Sequence, residues 1–167
     1  MSNNALVKID DIERNDERVQ LVSFMLAGEE YGVEVLKVRE IIRMVNITKM
    51  PNTPHYIEGI INLRGKVIPI ISMRNRFGLC NTADSTQTRI MVMDVHGGLT
   101  GFIVDGVSEV IRIQSSEVQP PPNIVSGTVD QEFITGVFNH GDRMLIIMDT
   151  DRLFEGEAIA GLGTVAL

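Results

Sequence analysis

Gly32-Val33-Glu34-Val35-Leu36-Lys37-Val38-Arg39-Glu40-Ile41-Ile42-Arg43 returns 69 positions later as Gly101-Phe102-Ile103-Val104-Asp105-Gly106-Val107-Ser108-Glu109-Val110-Ile111-Arg112. Gly32, Val38, Glu40, Ile42 and Arg43 meet Gly101, Val107, Glu109, Ile111 and Arg112, and Pro51 meets Pro120 at the same offset. Beyond the prolines the offset widens to 77, eight extra residues in the second copy, and Gly59, Asn62 and Phe77 meet Gly136, Asn139 and Phe154. A pattern that returns in order over most of a chain marks an internal duplication, so one copy is the unit whose fold has to be read.

Each copy reads as a string of short strands. Residues 21–26 and 90–95 are nearly continuous apolar runs, as in strands buried on one face and partly covered on the other. Turn residues follow at Gly28-Glu29-Glu30 and Gly97-Gly98, then second strands at 31–35 and 100–104. Residues 36–45 are ambiguous, because Val38, Ile41, Ile42 and Val45 also have helical spacing. Gly106 stands in the matching stretch of the second copy and disfavours a helix there by about 1 kcal/mol relative to Ala. That points to a bend and then a third strand in both copies. Thr53-Pro54 has the chemistry of a helix start, with Thr as N-cap and Pro at the first helical position. Hairpins follow at 59–71, turning at Arg64-Gly65, and at 136–148, turning at Gly141-Asp142. Ser72 and Asp149 occupy matching places as N-caps of a closing helical turn.

Five or so short strands per copy and little helix predict an all-β protein: two small five-stranded barrels packed about a pseudo-twofold axis. The first spans residues 18–83 and the second 84–155, with 1–17 and 156–167 as tails. The pattern leaves open whether a strand is exchanged between the two. The stretch 114–135, with Pro120-Pro121-Pro122, is the longest irregular one and reads as a surface loop.

The bulk properties bound the function. A chain of 167 residues, 44% hydrophobic, is long enough to bury a real core. The net charge of −7 argues against a nucleic-acid or anionic-membrane surface as the main partner. The charge is uneven: residues 18–83 hold nine Lys/Arg against five Asp/Glu, and residues 84–167 hold four against twelve. The N-terminal stretch lacks the pattern of a signal peptide, and the longest apolar runs of the chain, such as residues 67–71, fall far below the ~20 residues of a membrane span. With a single cysteine, Cys80, the reading is cytoplasmic.

Candidate chemistry is sparse. His55, His96 and His140 lie far apart with no metal-ligand spacing, so each reads as a surface histidine and no metal or cofactor is implied. Cys80 has no positioned base beside it. Gly59 to Lys66 looks like a phosphate loop at a glance but has five residues between Gly59 and Gly65, and Val67 where Ser or Thr is needed. Asp149 and Asp151 are paired carboxylates that acid–base chemistry could use, but capping explains Asp149 without chemistry. The nine methionines read as core, with an adaptable binding surface as the sharper alternative. Arg64, at a hairpin tip beside Asn62, could anchor a partner through its fork of donors.

From Glu30-Tyr31-Gly32-Val33-Glu34-Val35 through Val38-Arg39-Glu40-Ile41, Pro51-Asn52-Thr53-Pro54 and Gly59-Ile60-Ile61-Asn62-Leu63-Arg64-Gly65-Lys66-Val67-Ile68-Pro69-Ile70, the chain resembles the CheW family of chemotaxis coupling proteins. Val104-Asp105-Gly106-Val107-Ser108-Glu109-Val110 and Gly141-Asp142-Arg143-Met144-Leu145-Ile146 carry the resemblance into the second half. It implies two barrels of the Src-homology-3 type and a non-catalytic adaptor that bridges chemoreceptors to the regulatory domain of the histidine kinase CheA. It implies a receptor-facing groove at Val38, Arg64, Gly101 and Val107, and a kinase-facing site at Glu40 and Ile41. The charge asymmetry adds the expectation of head-to-tail self-association into rings or arrays. Two other classes stay open: an adaptor of a parallel kinase-linked pathway (surface motility or gene control), and an enzyme using Asp149 and Asp151.

Overall fold

The computed structural model describes residues 17–80, 82–121 and 133–154. The expected tails, apart from Glu17, and the middle of the 114–135 stretch lie outside them. Ten strands run in chain order among the described residues: β1 (Arg18–Leu26), β2 (Glu29–Glu34), β3 (Val38–Arg43), β4 (Ile57–Leu63), β5 (Lys66–Ser72), β6 (Arg89–Val95), β7 (Gly98–Val104), β8 (Gly106–Gln114), β9 (Ile134–His140) and β10 (Arg143–Met148). Short helices α1 (Met73–Arg76) and α2 (Thr150–Leu153) follow β5 and β10.

The protein is all-β, in two five-stranded sheets. The first has the order β8-β1-β2-β10-β9 and the second β3-β6-β7-β5-β4. Each sheet therefore takes strands from both sides of residue 83, so the 18–83 and 84–155 division describes the sequence repeat while the sheets cross it. The repeat nevertheless governs the topology. Replacing each strand of the first sheet by its counterpart in the other copy yields the second sheet, strand for strand.

Registers follow the same rule. Gly32 lies beside Ile147 in the parallel β2–β10 pair, and Gly101 lies beside Ile70 in the parallel β7–β5 pair, positions related by the offsets of 69 and 77. Bulges recur too: the β1–β8 register shifts between Val22 and Phe24, and the β3–β6 register between Val38 and Glu40. A β-bulge re-aims the residues around it, so each sheet bends at the same place.

The apolar runs are continuous because their strands are covered on both faces. In β6, Ile90 and Val92 enter a core belonging to the second sheet, with Ile61, Ile68 and Ile70, whereas Met91, Met93 and Val95 enter a core shared by both sheets. Leu21 of β1 enters the first sheet's own core, with Ile111, Ile113, Leu145 and Ile147, and Val22, Phe24 and Leu26 enter the shared one. Alternate residues of a strand point to opposite faces, so burial on both faces needs an unbroken apolar run. The shared core is framed by two matching aromatic contacts, Phe77–Phe133 and Phe154–Tyr56, with ring centroids 5.3 and 5.9 Å apart. Met91 and Met93 are fully buried and serve as core, whereas Met144 is exposed.

Ser72 and Asp149 cap α1 and α2 as expected, accepting from the backbone N–H of Asn75 and Asp151. Thr53-Pro54 does not start a helix. Only one turn forms, with Ile57 N–H donating to the Pro54 carbonyl, because the chain is taken up at Ile57 by pairing with Ile71 in β5. The first-copy turn sits at Ala27-Gly28 and its counterpart at His96-Gly97, one residue earlier than read from sequence, with all four residues at positive φ. A two-residue turn of this kind matches the right-handed twist of the strands it joins.

One glycine contact decides how each sheet's far edge is met. After β3 the chain turns back so that Thr48 exchanges hydrogen bonds with Ile60 of β4, at 2.9 and 2.8 Å. Gly59 adopts φ +150°, and a Cβ there would lie 2.1 Å from the Thr48 carbonyl oxygen. Gln119 bridges Val137 in the other copy, and a Cβ on Gly136 would lie 2.4 Å from Val118 Cγ1. These matching glycines admit the returning strand.

Candidate functional site

Two chain crossings connect the sheets, and the residues of interest cluster at them. The first is a single 3-10 turn, Val35–Lys37, leading from β2 into β3. The second is Asp105, between β7 and β8. Val38 and Val107 stand just beyond the crossings at equivalent positions, one in each sheet, half-buried against the shared core. Leu36, on the first crossing, is 85% exposed.

Each crossing is held by a carboxylate. Asp105 accepts two hydrogen bonds from the Arg74 guanidinium of α1, at 2.9 and 2.6 Å, and one from the Ala27 N–H at the β1–β2 turn. At the other crossing Asp151 of α2 accepts from Lys37 Nζ at 2.8 Å and from the His96 N–H at the β6–β7 turn at 3.0 Å. The Arg74 hydrogen bonds, working with the Ala27 amide against partial burial, hold the Asp105 carboxyl below its ordinary value. Burial pushes the Asp151 carboxyl up, but Lys37 and the His96 N–H outweigh it and also hold this group low. Asp151 is thereby bound up as a structural acceptor and Asp149 as a cap. A general acid needs a raised carboxyl, and that of Asp151 is held low.

Arg64 sits at positive φ at the tip of the β4–β5 hairpin, where Asn62 Oδ1 accepts from Gly65 N–H at 2.8 Å. Its guanidinium pairs with the Glu40 carboxylate of β3 and its cation is further stabilised by that contact. Ile41 follows, 40% exposed, opposite Met91 at the edge of its sheet. Beside this edge lies a cavity of about 420 Å³ lined by Ile42, Val45, Ile60, Leu63 and Val67 among others. The exposed apolar residues repeat with the fold: Ile41 and Val67 of the second sheet have Val110 and Met144 as exposed counterparts in the first.

The structure thus brings Arg64 against Glu40, two residues from Val38, and sets Val107 at the opposite crossing. Gly101 is apart from all of these and buried. A Cβ there would lie 2.5 Å from Ile70 Cδ1 and 2.8 Å from Ile90 Cγ2, so glycine is required for β7 to pack between β5 and β6. Sequence reading missed Lys37, Arg74 and Asp105, and saw Asp151 only as half of a carboxylate pair. The repeat offset does align Arg74 with Asp151, but opposite charges at matching positions conceal the shared role. Among the described residues no three His, Cys, Asp or Glu side chains are grouped to hold a metal ion, and no helix is long and apolar enough to cross a membrane.

Comparison with known proteins places residues 20–158 in a match to the CheW-like domain family. The chain is 34% identical over 155 residues to the chemotaxis protein CheW of Treponema pallidum, covering 90% of this chain and 91% of that one. It is 35% identical to the CheW of Klebsiella aerogenes, with 88% of each chain covered. Among solved structures it resembles the scaffolding protein TtCheW of Thermoanaerobacter tengcongensis, with a TM-score of 0.76 and 42% identity over 83% of this chain and 94% of that one.

Proposed function

The chain belongs to the CheW-like family, and on that premise we propose that it is a non-catalytic cytoplasmic adaptor coupling chemoreceptors to the histidine kinase CheA. What carries the reading is the extent of the likeness: it runs through both sheets and both crossings, as a scaffold with separate faces requires. The chemoreceptor tip docks at Val38, Arg64 and Val107, and Gly101 contributes by letting β7 pack between β5 and β6 of the second sheet. The CheA regulatory domain engages Glu40 and Ile41. Signal passes by shifting how these contacts are populated, with no bond made or broken. Supporting this, the Asp149 and Asp151 carboxylates are committed to capping and to the crossing.

The test is reconstitution of a receptor, CheA and this protein, with kinase activity measured with and without it. Receptor control that is unaffected by the protein overturns the reading.

Self-association belongs to the same proposal. Residues 35–105, which include all of the second sheet, hold nine Lys/Arg against five Asp/Glu, whereas the rest of the chain is acidic. A basic sheet of one copy facing the acidic sheet of another favours head-to-tail contact. Sedimentation across a salt series should show association weakening as salt rises. Association unchanged or strengthened by salt rules out the electrostatic contact.

A further inference from the structure

The carboxylate clamps at the two crossings are built on one plan with the charges inverted. Each joins a crossing residue, a residue of the short helix that closes one sheet, and the backbone N–H of a positive-φ residue at a hairpin tip of the other sheet. In one clamp these are Asp105, Arg74 and Ala27, and in the other Lys37, Asp151 and His96. The repeat relates Arg74 to Asp151 and Ala27 to His96, and Lys37 lies one residue past the counterpart of Asp105. Every clamp therefore touches both sheets, through side-chain contacts that lie outside the strand ladders. Opening one changes how the sheets meet while leaving each sheet intact.

The clamps differ in strength. Arg74 grips Asp105 through two N–H groups with 18% of its side chain exposed, and its third contact, Nη1 to the Cys80 carbonyl at 2.7 Å, fixes the guanidinium further. Lys37 reaches Asp151 with one contact on a flexible stem, and its side chain is 39% exposed. A planar bidentate pair loses less freedom per bond than an ammonium on a four-carbon chain, and exposed pairs are screened by solvent. Lys37 also stands between Leu36, the most exposed large apolar residue of those described, and Val38. A partner that covers Leu36 meets the weaker clamp directly.

We propose that Lys37 and Arg74, each through its carboxylate, are positioning residues that set the spacing between Val38 and Val107 across the two sheets, and that the Lys37 clamp is the one that yields when a partner binds. The assignment of Val38 and Val107 to a receptor rests on the function proposed above; the positioning does not.

Methyl NMR of the full chain with labelled valines reads this spacing without a partner. Lys37→Met should shift or broaden the signals of both Val38 and Val107, although Val107 belongs to the other sheet, and Lys37→Arg should restore them. The melting temperature of Lys37→Met should fall by no more than about 3 °C. In the unaltered protein, salt raised to about 1 M should move the same two signals in the same direction. Val107 signals indifferent to both Lys37→Met and salt overturn the proposal. Titration with a chemoreceptor tip fragment separates it from the functional reading. Lys37→Met should tighten that binding about threefold, because a clamp that yields on binding costs affinity while it is intact. Signals that move while affinity stays constant uphold the positioning and remove the receptor from the seam.

Discussion

The two sheets share a topology and differ at the places where the duplicated sequence has drifted. The edge of the second sheet carries the ion pair Glu40–Arg64. At the same place in the first sheet, Glu109 has Gly141 in the position of Arg64, and the side chain beside its carboxylate is the His140 imidazole, with Nε2 3.8 Å away. The interior differs as well. Glu30 of the first sheet is buried, with neither carboxylate oxygen hydrogen-bonded and Arg143 Nε 3.8 Å off, where the second sheet has Leu99 at the matching position. Strand order and register survived duplication because they rest on apolar alternation and turn geometry, which many side chains satisfy. Charged contacts depend on single residues and diverged.

The glycines at the returning strands should break the equivalence most sharply. Gly59→Ala drives a Cβ into a backbone carbonyl at a φ that side chains rarely adopt, and should cost about 3 kcal/mol or more. Gly136→Ala meets the end of the Val118 side chain first and should cost about 1–2 kcal/mol. Urea denaturation of the two variants measures the difference, and equal losses would mean the two edges are met alike.

Next come the clamps. Arg74→Ala should destabilise by about 2 kcal/mol, since it strips a half-buried carboxylate of a bidentate partner, and Lys37→Ala by less than about 1 kcal/mol. Acid unfolding supplies an independent check. Asp105 and Asp151 both titrate below the ordinary carboxylate value of 3.8 in the folded protein. A lowered folded value means the unfolded chain takes up protons first, so their stabilisation is complete well above pH 3.8 and fades as pH falls through the depressed values. Asp105→Asn should therefore flatten the acid limb of the stability profile more than Asp151→Asn, and the reverse order would make the Lys37 clamp the stronger one.

Glu30→Leu, which copies the second sheet into the first, should stabilise by about 1 kcal/mol, because a buried carboxyl group without hydrogen bonds gives way to apolar packing. Differential scanning calorimetry would show it, and a lower melting temperature would mean that the Arg143 contact outweighs burial. Smallest of all is Arg64→Ala. Its pair with Glu40 is solvent-exposed, so the melting curve should overlay that of the unaltered protein while binding of a receptor tip weakens. Unaltered binding takes Arg64 out of the proposed site.

Much of this was legible in the chain. The offsets of 69 and 77 recur as the registers of β2–β10 and β7–β5, and the hairpin at Arg64-Gly65 and the caps at Ser72 and Asp149 follow from local chemistry. Thr53-Pro54 misled because a local helix signal lost to strand pairing at Ile57, a contact made across the chain. Within the proposed site, Glu40 and Arg64 are 24 residues apart and nothing in their spacing announces that they touch.

By itself the sequence determined that the protein is doubled and all-β, because periodicity and turn residues are local properties. Tertiary structure alone decided that each sheet is completed by strands of the other copy, that Gly101 lies buried, and that four charged side chains lock the crossings. Those outcomes depend on which surfaces meet, and burial of the apolar faces on both sides of β1 and β6 is what selects the meeting.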